Sequence, residues 1–432
     1  MLLLLLACNS SFYDRIVVEG TQANQSLGKQ PAYAGDVDGD GVGDLAVRDS
    51  QGTLVFSGAV ILGDDSPTVE SAWTRLPLPA NLDFPDTTQQ LGEIQTIGDL
   101  NGDGLDELVD AIACRNPDSC GTGGWIRVYD GASIASGTPS AIWTEEVESP
   151  DVLAIDTGIV DAAALPVLAI TTGETAWVVR GEDLRDGVPF SGTEISGPHA
   201  DLTLADLNAD GLDELVIGQP DAPGGGRVRV YTWTGTERRP DPLESIIGPD
   251  DARFGVRIAS VDLDHGGQED LLISGSPFGD EGDAPGMMWH ISGEALALEG
   301  GRIELESTND ASFNTLNQAD LQGNIGLFGH SLDACEDLDG DGLNDLVFAA
   351  RPNRATLVGT RDGRILGLSS QDSSASFLIW QHSPRAGWLL YVACLGDLDG
   401  DGLGEILVGA PGTLQVDEEG AGEFWILSTG TQ

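Results

Sequence analysis

The stretch GDLDGDGLGEILVGAP at residues 396–411 constrains this chain more than any other. Asp397, Asp399 and Asp401 alternate through a glycine-rich turn, and Glu405 follows four residues later. Carboxylates at positions one, three, five and nine converge only when the backbone curls around a common centre. Gly402, at position six, supplies the permissive backbone conformation for that curl. Four converging carboxylates repel one another unless a cation joins them, and an all-oxygen set suits a hard ion such as Ca²⁺. Leu403, at position seven, would add its backbone carbonyl. Ile406-Leu407-Val408 then forms a short apolar run of strand character. A metal loop feeding a buried strand is the unit.

The unit recurs along the chain. The first copy has Asp36, Asp38, Asp40 and Asp44, with Val42 at position seven. The second has Asp99, Asn101, Asp103 and Glu107 around Leu105, and the third Asp206, Asn208, Asp210 and Glu214 around Leu212. Asp337, Asp339, Asp341 and Asp345 around Leu343 make another, and residues 397–405 the fifth. Two weaker copies fill the gaps. Residues 262–270 keep Asp262, Asp264 and Asp270 but carry Gly266 at position five, while residues 159–170 keep the strand Leu168-Ala169-Ile170 without the loop. Counting both gives seven units, starting near residues 36, 99, 159, 206, 262, 337 and 397. That spacing matches a four-stranded propeller blade, so the fold expected is all-β, a seven-bladed β-propeller. A helix–loop–helix calcium site is excluded. It needs a glutamate at position twelve, where Val47, Ile217, Phe348 and Val408 stand and only Asp110 could ligate.

Phe254-Gly255 and Phe328-Gly329 precede two of these loops, and Gly409-Ala410-Pro411 follows another, with Gly275-Ser276-Pro277 and Gly218-Gln219-Pro220 as variants. This pattern resembles FG-GAP repeats, the blade unit of the integrin α-subunit propeller, over essentially the whole chain from about residue 12. The resemblance implies about five Ca²⁺ sites on one face and partner binding through loops of the opposite face. Several copies lack the Phe-Gly pair (Leu91-Gly92, Gly387-Trp388), which fits a bacterial relative better than an animal integrin.

The chain is long enough for one large core, and the repeat assigns residues 9–432 to one domain. Its 59 glycines fit many short strands joined by turns, and no long apolar stripe of helical period appears, so little helix is expected. Arg15-Ile16-Val17-Val18-Glu19 is a suitable strand to complete the last blade beside Glu423-Phe424-Trp425-Ile426-Leu427. A net charge of −51 repels phosphate backbones and anionic headgroups, which argues against nucleic-acid binding.

Residues 1–8 read as a targeting segment. Leu5-Leu6-Ala7-Cys8 resembles a lipobox, which implies lipidation at Cys8 and an outer-membrane or other cell-envelope location. The segment is short and lacks Lys and Arg, so an upstream start or an incidental apolar tip stays open. No other stretch is long and apolar enough to span a bilayer. Cys114 and Cys120 bracket a turn-rich loop and are expected to form a local disulfide. Cys335 and Cys394 precede equivalent loops of neighbouring blades, and either a bridge or two buried thiols is compatible with that.

The five histidines show no metal-ligand spacing, and the chain has no nucleophile elbow or phosphate-cradling glycine loop. The expected function is therefore binding rather than catalysis. The chain reads as an exported calcium-binding propeller for an extracellular protein or glycan ligand, monomeric or in an envelope complex, anchored to membrane only through lipid. A polysaccharide-active enzyme and a structural envelope component are the alternatives.

Overall fold

Runs such as Leu45-Ala46-Val47, Leu215-Val216-Ile217 and Leu271-Leu272-Ile273 are too uniformly apolar for a strand with one wet face. In the fold each lies in a strand buried on both sides. A computed structural model describes residues 13–64, 66–79, 90–114, 123–148, 153–161, 165–189, 194–234, 237–238, 242–263, 265–275, 287–296, 301–305, 313–317, 325–338, 340, 342–352, 364–368, 376–381, 391–411 and 420–428. They form seven sheets of four or five strands, antiparallel except for one added strand in blade 4, called blades 1 to 7 below, and one small hairpin.

The first strands are Lys29–Gly35, Ile94–Gly98, Ala154–Gly158, Asp201–Ala205, Phe254–Val261, Ile325–Cys335 and Tyr391–Cys394. They neighbour one another in that order, and the last lies beside the first, so the sheets close into a ring. The second strands are Asp44–Asp49, Glu107–Cys114, Val167–Thr171, Glu214–Gln219, Asp270–Gly275, Asp345–Pro352 and Ile406–Ala410. Because side chains alternate along a strand, each second strand feeds two cores. Leu215 and Ile217 pack with Val167 and Ala169 between blades 3 and 4, whereas Val216 packs with Leu271 and Ile273 between blades 4 and 5.

The seam of the ring is built from both ends of the chain. Tyr13–Glu19 pairs antiparallel with Glu423–Ser428, placing Ile16 opposite Ile426 and Val18 opposite Phe424. Phe424 meets Phe56 of blade 1 edge-on, with centroids 5.3 Å apart. Backbones also approach closely there. A β-carbon on Gly409 would lie 1.8 Å from the carbonyl oxygen of Gly28, and one on Gly218 would lie 2.2 Å from that of Gly255. The glycine ending one second strand therefore seats against the glycine opening the next blade, and no side chain fits at either place.

Neighbouring first strands share no ladder and are joined by carboxylates instead. Glu93 accepts from the Ile155 amide (3.0 Å), Asp156 from Leu204 (2.8 Å), Asp201 from Ile258 (2.8 Å) and Asp333 from Cys394 (2.9 Å). Each bond runs from one blade to the next. These strands surround a central cavity of about 400 Å³, where Arg257 also holds Glu93 (3.0 Å) and Asp201 (3.4 Å). A Cys335–Cys394 disulfide, with Cα atoms 5.2 Å apart, adds a covalent link between blades 6 and 7.

Two features go beyond the sequence expectation. Gly301–Glu304, from the connection inside blade 5, pairs in parallel with the outer strand Glu244–Ile247 of blade 4 and covers its edge. Short helices, Gly58–Gly63, Gly131–Ala135 and Gly181–Arg185, follow the third strands of blades 1 to 3.

Substituting Phe424→Ala would empty the seam between the last blade and the first. The expected cost is about 3–5 kcal/mol, read as a lower urea midpoint at unchanged m-value.

Candidate metal loops

Each loop connects a first strand to a second, so all lie on one face of the ring. In loop 1, Asp36 Oδ1 accepts the amides of Gly39 (2.7 Å) and Asp40 (3.1 Å), and Oδ2 accepts Gly41 (2.9 Å). Asp38 accepts from the Asp40 amide (3.0 Å) and Asp40 from Val42 (2.8 Å). The position-one carboxylate thus gathers the turn around itself, and the next two fold inward in register. The other loops repeat the scheme. Asp99 holds Gly102 and Gly104, Asp206 holds Asp210 and Gly211, Asp337 holds Gly340 and Gly342, and Asp397 holds Gly400 and Gly402. The amides of Leu105, Leu212 and Leu403 bond to the position-five carboxylates Asp103, Asp210 and Asp401.

The position-nine residues differ in kind, for Asp44, Glu107, Glu214, Asp345 and Glu405 are all buried. Each accepts the amide at position two of its own loop, from Val37 (2.9 Å), Leu100 (2.6 Å), Leu207 (3.2 Å), Leu338 (2.8 Å) and Leu398 (2.7 Å). Asp44 also accepts the Gly58 amide at the start of the short helix of blade 1 (3.0 Å). Burial pushes the carboxyls of Asp44, Glu107 and Glu405 up to about 7 and that of Glu214 to about 8, with the other acids of the loops adding to the rise.

The loops are not five equal sets. Carboxylate oxygens of Asp36, Asp38 and Asp40 lie within 4.8 Å of one another, as do those of Asp397, Asp399 and Glu405. Among the described residues these are the two acidic groupings of that density. In loops 2 and 4 the side-chain amides of Asn101 and Asn208 donate to Glu107 (3.0 Å) and Glu214 (2.9 Å), engaging an oxygen that a cation would otherwise take. Asp339 and Asp341 of loop 6 fall outside the described residues, while Leu343 and Asp345 lie within them.

Loop 7 fits a cation on a second count. Glu405 Oε1 is buried and accepts no hydrogen bond, although Ser428 is near enough to lower the carboxyl's pKa. An acceptor left bare beside Asp397 and Asp399 suits a hard cation. When bound, such an ion would neutralise the clustered charge and fix the turn.

Neither degenerate copy reproduces the scheme. In blade 5, Asp262 holds the amides of Gly266 (3.0 Å) and Gly267 (2.9 Å), but Asp270 is bonded by His290 Nε2 (2.9 Å) and the Gly293 amide (2.8 Å). His265 is exposed. In blade 3, Val167 stands where the position-nine carboxylate would be.

The spacing argument missed the residue at position eight. Asp106 of loop 2 donates its amide to the Asp36 carbonyl (3.2 Å) and accepts the Asp36 amide on Oδ2 (2.9 Å). Asp213 of blade 4 makes the same pair of bonds to Ile159, Glu269 donates to Asp206, and Gly404 to Asp337. Blades 2, 4, 5 and 7 so clasp the loop before them. Pro166, at this place in blade 3, has no amide to give. The acidic doublets Asp106-Glu107 and Asp213-Glu214 were the available signal. Of the other sequence expectations, Cys8 and Cys120 lie outside the described residues.

Comparison with known proteins agrees with this architecture. A model described as an FG-GAP-like repeat matches residues 337–408, and one described as an FG-GAP repeat matches residues 200–231 and 390–427. FG-GAP repeats are thus recognised in these parts of the chain. Among curated relatives, the chain is 33% identical to integrin alpha-5 of Xenopus laevis over 198 residues, covering 42% of this chain and 17% of that protein. It is 33% identical to integrin alpha-4 of the same species over 170 residues, 38% of this chain and 15% of that one. With human integrin alpha-7 the identity is 29% over 215 residues, 46% and 15% of the two chains. The matched region thus spans less than a fifth of these relatives.

The raised carboxyls fix the sign of the pH dependence. Each holds its proton more tightly in the fold than in the unfolded chain, so between about 4 and its folded value the unfolded state releases protons that the fold keeps. Their contribution to metal-free stability is fully present below about pH 4 and lost as pH rises through about 7–8. In chelator, the melting temperature at pH 5 is expected to exceed that at pH 8. The reverse order would contradict the assignment.

Proposed function

We propose that this chain is a calcium-stabilised propeller that binds an extracellular protein or glycan ligand and catalyses no reaction. The observation that carries the metal part is the Asp397, Asp399 and Glu405 cluster with its bare buried oxygen. Ca²⁺ is the ion of choice because every candidate donor is oxygen and carboxylates with a backbone carbonyl at position seven are the donors this hard ion takes. Loops 1 and 7 would bind most tightly, and the Asn–Glu contacts would have to open before loops 2 and 4 could bind, giving up to five sites with loop 6. Binding rather than turnover is supported by the state of the buried acids. Asp156, Asp201 and Asp333 serve as inter-blade acceptors, and the position-nine acids close loops.

Export and adhesion are carried by the likeness to integrin alpha chains. No helix among the described residues is long and apolar enough to cross a membrane. Anchoring would instead use a lipid on Cys8, placing the propeller at the cell envelope or outside the cell, alone or in an envelope assembly. Modest-affinity calcium loops suit such a compartment, where free calcium is high.

Calcium titration calorimetry and melting curves on the full chain test this. Millimolar Ca²⁺ is expected to raise the melting temperature, with about 1 kcal/mol per site at affinities of about 10⁻⁴–10⁻³ M, and Mg²⁺ to do less. Asp397→Ala should remove one ion from the count. A chain that binds no calcium would leave the loops as hydrogen-bonded turns only.

A further inference from the structure

The junction between blades 3 and 4, on the face away from the metal loops, holds buried nitrogens that no hydrogen-bond partner meets. It is built just before the first strand of blade 4, Asp201–Ala205, begins; the metal loop follows the other end of that strand. The fourth strand of blade 3 is only two residues long, Ile195–Ser196, and the chain then turns inward through Gly197 and Pro198 to His199.

His199 is 4% exposed, and neither ring nitrogen has a hydrogen-bond partner. A neutral imidazole always carries one N–H donor and one bare nitrogen, so leaving both buried and unmet is costly. Arg229, on the adjoining face of blade 4, has a buried Nε without an acceptor. Other buried or half-buried arginines have acceptors: Arg48 meets Asp110, Arg75 meets Asp49, Arg257 meets Glu93 and Asp201, and Arg127 meets the Pro77 carbonyl and the Tyr129 hydroxyl. In a chain of net charge −51, a buried arginine nitrogen with no acceptor sets Arg229 apart from these.

Gln219 completes the set and its orientation is settled by chemistry. Its Oε1 accepts from Arg227 Nε at 2.8 Å, and because a guanidinium only donates, the amide nitrogen must face the other way. That nitrogen and His199 Nε2 converge beside Gly197. A point in the position of a β-carbon on Gly197 lies 3.1 Å from Gln219 Nε2 and 3.5 Å from His199 Nε2. The apolar packing between these blades (Leu215, Ile217, Tyr231) gives way here to polar groups along the same strand faces, since Ile217 pairs with Arg229 and Gln219 with Arg227.

We propose that this junction, at the point beside Gly197, binds a carboxylate group of a ligand, one oxygen held between His199 Nε2–H and the Gln219 amide and the charge met by Arg229. Phosphate and sulfate are less suited, because one guanidinium beside two neutral donors matches a single negative charge better than an anion carrying more. His199 serves as a neutral donor, since burial and then the Arg229 charge push its pKa down to about 4. The site rests on the ligand-binding reading only for what carries the carboxylate, and it owes nothing to the metal loops.

The test is ligand-observed NMR on the full chain with acetate, glucuronate and glucose, each in chelator and in millimolar Ca²⁺. Saturable binding of acetate or glucuronate without binding of glucose is expected in both buffers. Tighter binding of glucuronate than acetate would point to a uronic acid as carrier, and equal binding to a bare carboxylate such as a peptide provides. Arg229→Gln and His199→Ala should each weaken binding by about tenfold or more, whereas Arg253→Gln, which breaks a surface pair with Asp221, should not. Melting curves confirm that the variants fold. No saturable binding, or binding that both variants retain, overturns the proposal and leaves the junction to water. Loss of calcium binding with carboxylate binding intact would instead count against the metal reading alone.

Discussion

Every second strand of the ring is buried on both faces, and most of the architecture follows from that constraint. A sheet with two apolar faces needs a neighbour on each side. A linear stack of such sheets always ends in two naked faces, and only closure removes them. Closure in turn requires a seam, and a seam held by packing alone would be the weakest part of the ring. Here it is reinforced three ways. A strand from the amino end completes the last sheet, Phe56 and Phe424 meet across it, and the backbone of Gly28 presses against Gly409. The remaining junctions share the load through the carboxylates on the first strands and the clasps between successive loops.

The seven units and the second strands were legible because both carry a rigid spacing. A ligand must recur at every second residue of the turn, and a doubly buried strand must be apolar throughout. What stayed hidden has no such periodicity. Glu93, Asp156, Asp201 and Asp333 each bridge two blades, but along the chain they look like any of the 71 acidic residues. The helices after the third strands run five or six residues, too short for a period of 3.6 to show. Spacing also marks Asn101 and Asn208 as ligands without telling which way the amide turns. An aspartate there would have to repel Glu107 or Glu214, whereas an asparagine can donate to it. Likewise, the placement of Cys335 and Cys394 before equivalent loops left two outcomes open until their separation was known.

Burying a carboxylate at position nine of each loop is expensive, and the fold offers three ways to reduce that cost: amide donors, a proton, or a cation. All five candidate loops use the first, through the amide at position two. Loops 2 and 4 add an asparagine donor, and blade 5 adds His290 to Asp270. Loop 7 leaves one oxygen bare. Protons and cations then compete for the same group, which couples stability, acidity and calcium at one residue. The second role is structural, since the position-nine residue begins the doubly buried strand or, as Glu405 does, immediately precedes it. Whatever occupies the loop therefore acts directly on the core between two blades.

Blade 3 shows what a repeat does once released from this chemistry. With Val167 at position nine and Pro166 at position eight, it has neither the buried acid nor the clasp to the preceding loop. It keeps the apolar second strand, Val167–Thr171, because the ring still has to close. Its outer strand shrinks to Ile195–Ser196, and the chain gained there turns inward instead of along the sheet. That turn puts His199 against Gln219 and Arg229 of the next blade. The result is a division between the two faces of the ring. One face gathers oxygen acceptors around loops suited to cations, and the other, between blades 3 and 4, holds His199 and Arg229 nitrogens that no partner meets. Such a junction is hard to account for as packing, because leucine at position 199 would bury apolar surface with no unmet polar group. It makes physical sense when an acceptor arrives from outside the chain.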